Sequence, residues 1–105
     1  MNVQYKKGVL ELCVLALLKK EDFYGYDISE RLSKQVDIAD GTVYPILRKL
    51  KSDGLVTTYL SEESGGPPRK YYSLTELGKE EYQSARAEWL SFAKAVKTLL
   101  EEDAK

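Results

Sequence analysis

From Tyr5 to Lys19 the apolar positions crowd the whole circumference of a helix. Val9, Leu10, Leu12, Cys13, Val14, Leu15, Ala16, Leu17 and Leu18 leave almost no polar face. A helix that is apolar all round is covered on more than one side. In a short chain one side faces the domain core, and the other needs a partner chain. Lys19 and Lys20 suit the negative end of that helix's dipole. After a break at Glu21-Asp22-Phe23, Ile28 and Leu32 make the inward stripe of a second helix, Tyr24 to Lys34. Asp40 is placed to cap a third helix reaching about Asp53, with Gly54 ending it at the C′ position. Pro45 then belongs in the early turns, since deeper it would remove a hydrogen bond and clash.

The period then changes. Leu55-Val56-Thr57-Thr58-Tyr59-Leu60 and Arg69-Lys70-Tyr71-Tyr72-Ser73-Leu74 are rich in β-branched and aromatic residues, and the turn-forming run Ser64-Gly65-Gly66-Pro67-Pro68 separates them. This reads as a β-hairpin with a long tip. Thr75 caps a last helix, opened by Glu76 and extending as far as Asp103, about 42 Å at 1.5 Å per residue. Its apolar positions Tyr82, Ala85, Trp89, Phe92, Val96 and Leu99 follow spacings of 3, 4, 3, 4 and 3. That 3.5-residue period is the pattern of helix-to-helix association, and the rest of the chain is too small to cover such a length.

The predicted fold is mainly α: a winged helix-turn-helix of three helices and a two-stranded β wing over residues 1–75, then a dimerisation helix over 76–105. In the third helix Val43, Ile46, Leu47 and Leu50 fall within about 100° of one another and point inward. Gly41, Pro45, Arg48 and Ser52 centre on the opposite side, flanked by Thr42, Tyr44, Lys49 and Lys51. Hydroxyls, a phenol and cations on one exposed face can donate to phosphates and reach base edges. The same face would serve equally as a solvated basic surface. Arg69 and Lys70 beside the hairpin tip add a second cationic contact and favour DNA.

Composition removes other classes. With 105 residues the chain is one domain, and there is no histidine, the commonest general base and metal ligand. The lone Cys13 sits among leucines and valine, where a thiol behaves as a small hydrophobe. No Gly-rich phosphate loop and no HExxH appear, so the composition argues against an enzyme and calls for no cofactor or metal. The longest apolar run, Cys13–Leu18, is too short for a membrane span, no signal peptide is expected, and a reducing cytoplasm suits the single cysteine. Net charge is −1, unevenly spread: +3 over residues 1–20, −4 over 21–40 and +2 over 41–60. Any anion-binding surface is therefore a local patch.

Tyr24-Gly25-Tyr26-Asp27-Ile28, Gly41-Thr42-Val43-Tyr44-Pro45-Ile46-Leu47-Arg48-Lys49-Leu50, Asp53-Gly54-Leu55-Val56 and Gly66-Pro67-Pro68-Arg69-Lys70-Tyr71-Tyr72-Ser73-Leu74-Thr75 together resemble the PadR-type transcriptional regulators. The resemblance spans nearly the whole chain and is to the short members with one C-terminal helix. It implies a homodimeric repressor, in which Thr42, Tyr44, Arg48 and Lys51 meet double-stranded DNA from the third helix and Arg69 and Lys70 from the wing. It also implies that the last helix packs on the partner's first and last helices, with Leu10, Val14, Ala85, Trp89, Phe92, Val96 and Leu99 at the interface. Some short members hold planar aromatic compounds between subunits, and Trp89 and Phe92 occupy the matching positions. A winged-helix module for protein–protein contact without DNA is the alternative function. For the dimer, the expected operator is an inverted repeat.

Overall fold

The structure is a computed structural model and describes residues 3–39, 41–62 and 65–102. It holds helices α1 (Val3–Lys20), α2 (Gly25–Gln35), α3 (Val43–Ser52) and α4 (Glu76–Glu102), with strands β1 (Phe23–Tyr24), β2 (Val56–Ser61) and β3 (Arg69–Leu74). The two hairpin strands pair antiparallel, Val56 opposite Leu74 through Ser61 opposite Arg69. The expected two-stranded wing gains a third member. The break between α1 and α2 contains β1, which pairs with β3 through Phe23 opposite Tyr72 and Tyr24 opposite Tyr71, giving the order β1-β3-β2.

The core forms where the inward stripes meet. Leu10, Val14, Leu15 and Leu18 of α1, Ile28 and Leu32 of α2, and Val43, Ile46, Leu47 and Leu50 of α3 are buried together with Phe23, Val56 and Leu74. Each fully buried aliphatic side chain contributes about 1.5–3 kcal/mol of transfer free energy, and Ile28, Leu47, Leu50, Val14 and Val43 are such residues. The wide apolar surface of α1 resolves into two faces. One joins this core. The other, with Val9, Leu12 and Ala16, stays half-open, while the partly buried Cys13 and Leu17 pack against the margin of the core.

Helix α3 starts later than its sequence pattern suggests. Gly41 has φ +85°, a left-handed backbone incompatible with a helical residue, so the helix begins at Val43 with Thr42 in the N-cap position. The expected cap, Asp40, lies outside the described residues. Pro45 falls at the third helical position, within the first turn. At the other end Gly54 takes φ +77° and donates to the Lys51 carbonyl, while Leu55 N–H donates to the Leu50 carbonyl. This pair of bonds is the Schellman motif expected of a C′ glycine.

Thr75 anchors α4. Its hydroxyl oxygen accepts a 3.0 Å bond from the Gly78 N–H, and the hydroxyl donates to the Gly54 carbonyl at 2.7 Å. One side chain therefore caps the long helix and ties it to the end of α3. The first half of α4 lies on the domain, with Tyr82 against the core and Ala85 lining a cleft formed with α1 and α3. Beyond that point most of its side chains are exposed, with Ala93 and Val96 half-buried, and the molecule measures 60 × 28 × 21 Å.

Candidate nucleic-acid interface

The division of faces in α3 is as its pattern predicts. Tyr44, Pro45, Arg48, Lys51 and Ser52 are exposed opposite the buried stripe, with Thr42 half-exposed at the helix start. Lys49, on the flank, is engaged otherwise. Its ammonium lies 3.6 Å from Glu11 of α1 and 3.1 Å from Asp53. These carboxylates, above all the hydrogen bond to Asp53, hold its pKa above the usual lysine range. Among the described residues Arg48, Lys51 and Lys70 have no carboxylate partner, so their charge is available.

Strand alternation separates the two wing cations. Lys70 is on the face that carries Tyr72 and the buried Leu74, towards the helices, and Leu60 lies opposite it in the register. Arg69 follows Tyr71 and Ser73 on the outer face, and its guanidinium sits 5.0 Å above the Tyr24 ring. Cation–π contact at that distance holds the group at the margin of the site. The rings beside it form a run across the three strands. Tyr59 stacks on Tyr71 at 5.7 Å, Tyr71 lies 6.2 Å from Tyr24, and Tyr24 lies 6.4 Å from Tyr26. Tyr59 anchors the far end by donating to Asp22 at 2.7 Å.

Between these elements is a cleft of about 340 Å³ lined by Tyr24, Gly25, Tyr26, Tyr44, Arg48, Lys70 and Tyr72. It gathers Tyr44 and Arg48 of α3 and Lys70 of the wing, three of the residues expected at the DNA contact. Thr42 and Lys51 are elsewhere on α3, and Arg69 is on the outer face. Tyr24, Tyr26 and Tyr72 were not singled out from the sequence as site residues. Their signal is the abundance of tyrosine, eight in the chain, four of them (Tyr24, Tyr59, Tyr71 and Tyr72) on the three strands. Burial pushes the Tyr72 phenol above its usual pKa, the neighbouring Tyr44 phenol adds to this, and Arg48 opposes it.

The residues expected at a subunit interface divide in two. Leu10 and Val14, 6% and 0% exposed, are consumed by the chain's own core, because α2, α3 and α4 cover that side of α1. This is a correction to their expected place at a partner's surface; the half-open face of α1 carries Val9, Leu12 and Ala16. On the distal half of α4, Phe92 and Leu99 are 58% and 64% exposed, and Trp89 is also open to solvent. Val96 is half-buried on the same stripe. Among the described residues, no group of histidine, cysteine and carboxylate side chains is placed to hold a metal ion, and no helix is long and apolar enough to cross a membrane.

Three helices, a β wing and an exposed basic face on the third helix define a winged helix-turn-helix protein. The sequence model described as the transcriptional regulator PadR-like family matches residues 14–84, and the chain belongs to that family. A negative transcriptional regulator, PadR, of Bacillus subtilis is 34% identical over 77 residues, which is 70% of this chain and 42% of that protein's length. A crystal structure of a Streptococcus transcriptional regulator is similar at a TM-score of 0.86 and 32% identity, covering 93% of this chain and 98% of that one. A PadR-like transcriptional regulator from Bacillus cereus gives a TM-score of 0.84 at 35% identity, covering 92% and 96%. These relatives are transcriptional regulators, and the chain is one of them in fold and family, not an enzyme.

Proposed function

We propose that this chain is a homodimeric, cytoplasmic DNA-binding repressor that recognises an inverted-repeat operator. The observation that carries the reading is the convergence of Tyr44, Arg48 and Lys70 from two elements on one face, with no carboxylate among the described residues that line the cleft they share. In a chain of net charge −1 such a patch has to be local, and phosphate recognition needs it to be. Residues 1–75 supply the DNA-binding unit and 76–105 the association helix. The apolar stripe of Ala85, Trp89, Phe92, Val96 and Leu99 pairs with that of a second copy, next to the half-open face of α1. The negative regulation named for the Bacillus subtilis relative supports repression. A planar aromatic effector held by Trp89 and Phe92 between the subunits would release the operator, since an exposed indole offers a stacking surface.

The test is an electrophoretic shift with DNA from upstream of the protein's own gene. Arg48→Ala and Lys51→Ala are each expected to weaken the complex while leaving the melting temperature within the small range of surface changes. Wild-type protein that shifts no duplex would overturn DNA binding, and unaffected variants would overturn the role of α3.

A further inference from the structure

We propose that the cleft between the wing and the helices seats one phosphodiester of the DNA backbone, with Tyr26 and Lys70 as its specific grips. The inference rests on the DNA-binding reading and deepens it, assigning backbone positioning to one part of the face and leaving Thr42 and Lys51 of α3 for the groove. Among the described residues the lining contains two cations, Arg48 and Lys70, four phenols, Tyr24, Tyr26, Tyr44 and Tyr72, and Gly25, with no acid among them. Seventeen carboxylates are spread over the chain, and the neighbouring Lys49 is neutralised by two of them, so the cleft is a selected exception. A phosphodiester carries one negative charge and only acceptor oxygens. It matches a site that holds two cations and whose other polar side chains can donate, whereas a base edge carries no formal charge.

The walls are set by packing. A Cβ at Gly25 would come 3.2 Å from the Tyr72 ring and 3.6 Å from the Tyr44 ring, so the glycine lets both rings close over the floor. Tyr26 and Tyr44, 57% and 38% exposed, are within reach of a ligand entering from solvent. Lys70 enters from the wing and Arg48 from α3. A single phosphate bound between them fixes the distance from wing to helix, and with it the depth at which α3 enters the groove.

Each phosphate neutralised by a lysine releases condensed counterions, giving a slope of about −0.9 in log K against log salt. The experiment therefore measures that slope for a mixed-sequence 30-base-pair duplex, where base reading is averaged out. Lys70→Met is expected to reduce its magnitude by about one per cleft. Tyr26→Phe, which keeps the ring, is expected to weaken the complex roughly threefold per cleft with little change of slope. Lys34→Met, an exposed lysine of α2 paired with Glu30 and outside the cleft, serves as the reference and should leave both unchanged. A slope unaltered by Lys70→Met, or lowered equally by Lys34→Met, overturns the clamp while DNA binding stands. Loss of all duplex binding in the wild type overturns the parent reading and the clamp with it.

Discussion

Gly78 shows at a single residue how packing reverses an intrinsic preference. Alanine in place of a helical glycine ordinarily stabilises by about 1 kcal/mol. Here a Cβ would collide with the Leu55 carbonyl and approach the Leu74 side chain at 3.0 Å. Forcing a methyl into that contact costs roughly 1–3 kcal/mol, so Gly78→Ala is expected to lower the melting temperature by several degrees. A circular-dichroism melt that is unchanged or raised would contradict the close seating of α4. Tyr72 provides a second test, through pH. Its phenol is raised mainly by burial, so the folded state holds the proton more tightly than the unfolded chain does. That contribution is complete below about pH 10 and is lost as pH rises through the folded value. Urea midpoints at about pH 8 and about pH 10.5 should therefore differ less for Tyr72→Phe than for the wild type. The inward positions of α3 and the glycine that ends it were legible in the sequence, because each obeys a strictly local rule. The common cleft of Tyr26 and Lys70 was not, since it joins residues far apart in the chain.

At the scale of elements, the distal half of α4 and the half-open face of α1 have different standing. Leu99 is largely exposed in the single chain, so Leu99→Asp costs the chain's own fold little. Buried in a helix pair, an unpartnered carboxylate would cost several kcal/mol. The variant is expected to remain helical and to sediment as a monomer. Persistence of the dimer would remove α4 as its seam. The heptad-like spacing of α4 and the doubled apolar surface of α1 could both be read in advance, whereas assigning Leu10 and Val14 to a partner could not succeed from periodicity. A helix apolar all round declares that two faces are covered without saying which meets the core. Strand β1 is not legible in the sequence for a related reason. Two residues, Phe23 and Tyr24, are too few to display a period of two, and they become a strand only because β3 lies alongside. Arg69 and Lys70 look equivalent as neighbours in a basic pair, yet pleating sends them to opposite faces.

For the whole molecule, the proposed dimer carries two winged domains related by a two-fold axis, so its operator should have half-sites about one helical turn, or a multiple, apart. A footprint over one isolated, non-palindromic half-site would contradict that arrangement. The Thr75 bond to Gly54 gives the arrangement a mechanical side. Helix α4 has 27 residues and so forms an arm of about 40 Å, rooted at one end beside the terminus of α3. If the distal halves of two such arms are clamped together, the pivot lies about 30 Å from each root, and a change of about seven degrees in their crossing shifts the two roots relative to one another by roughly 3.5 Å. That is close to the axial rise of one base pair, about 3.4 Å. The gearing is steep: a substitution in the seam that alters the crossing by so small an angle, touching no DNA-facing residue, should move the preferred half-site spacing by a whole base pair.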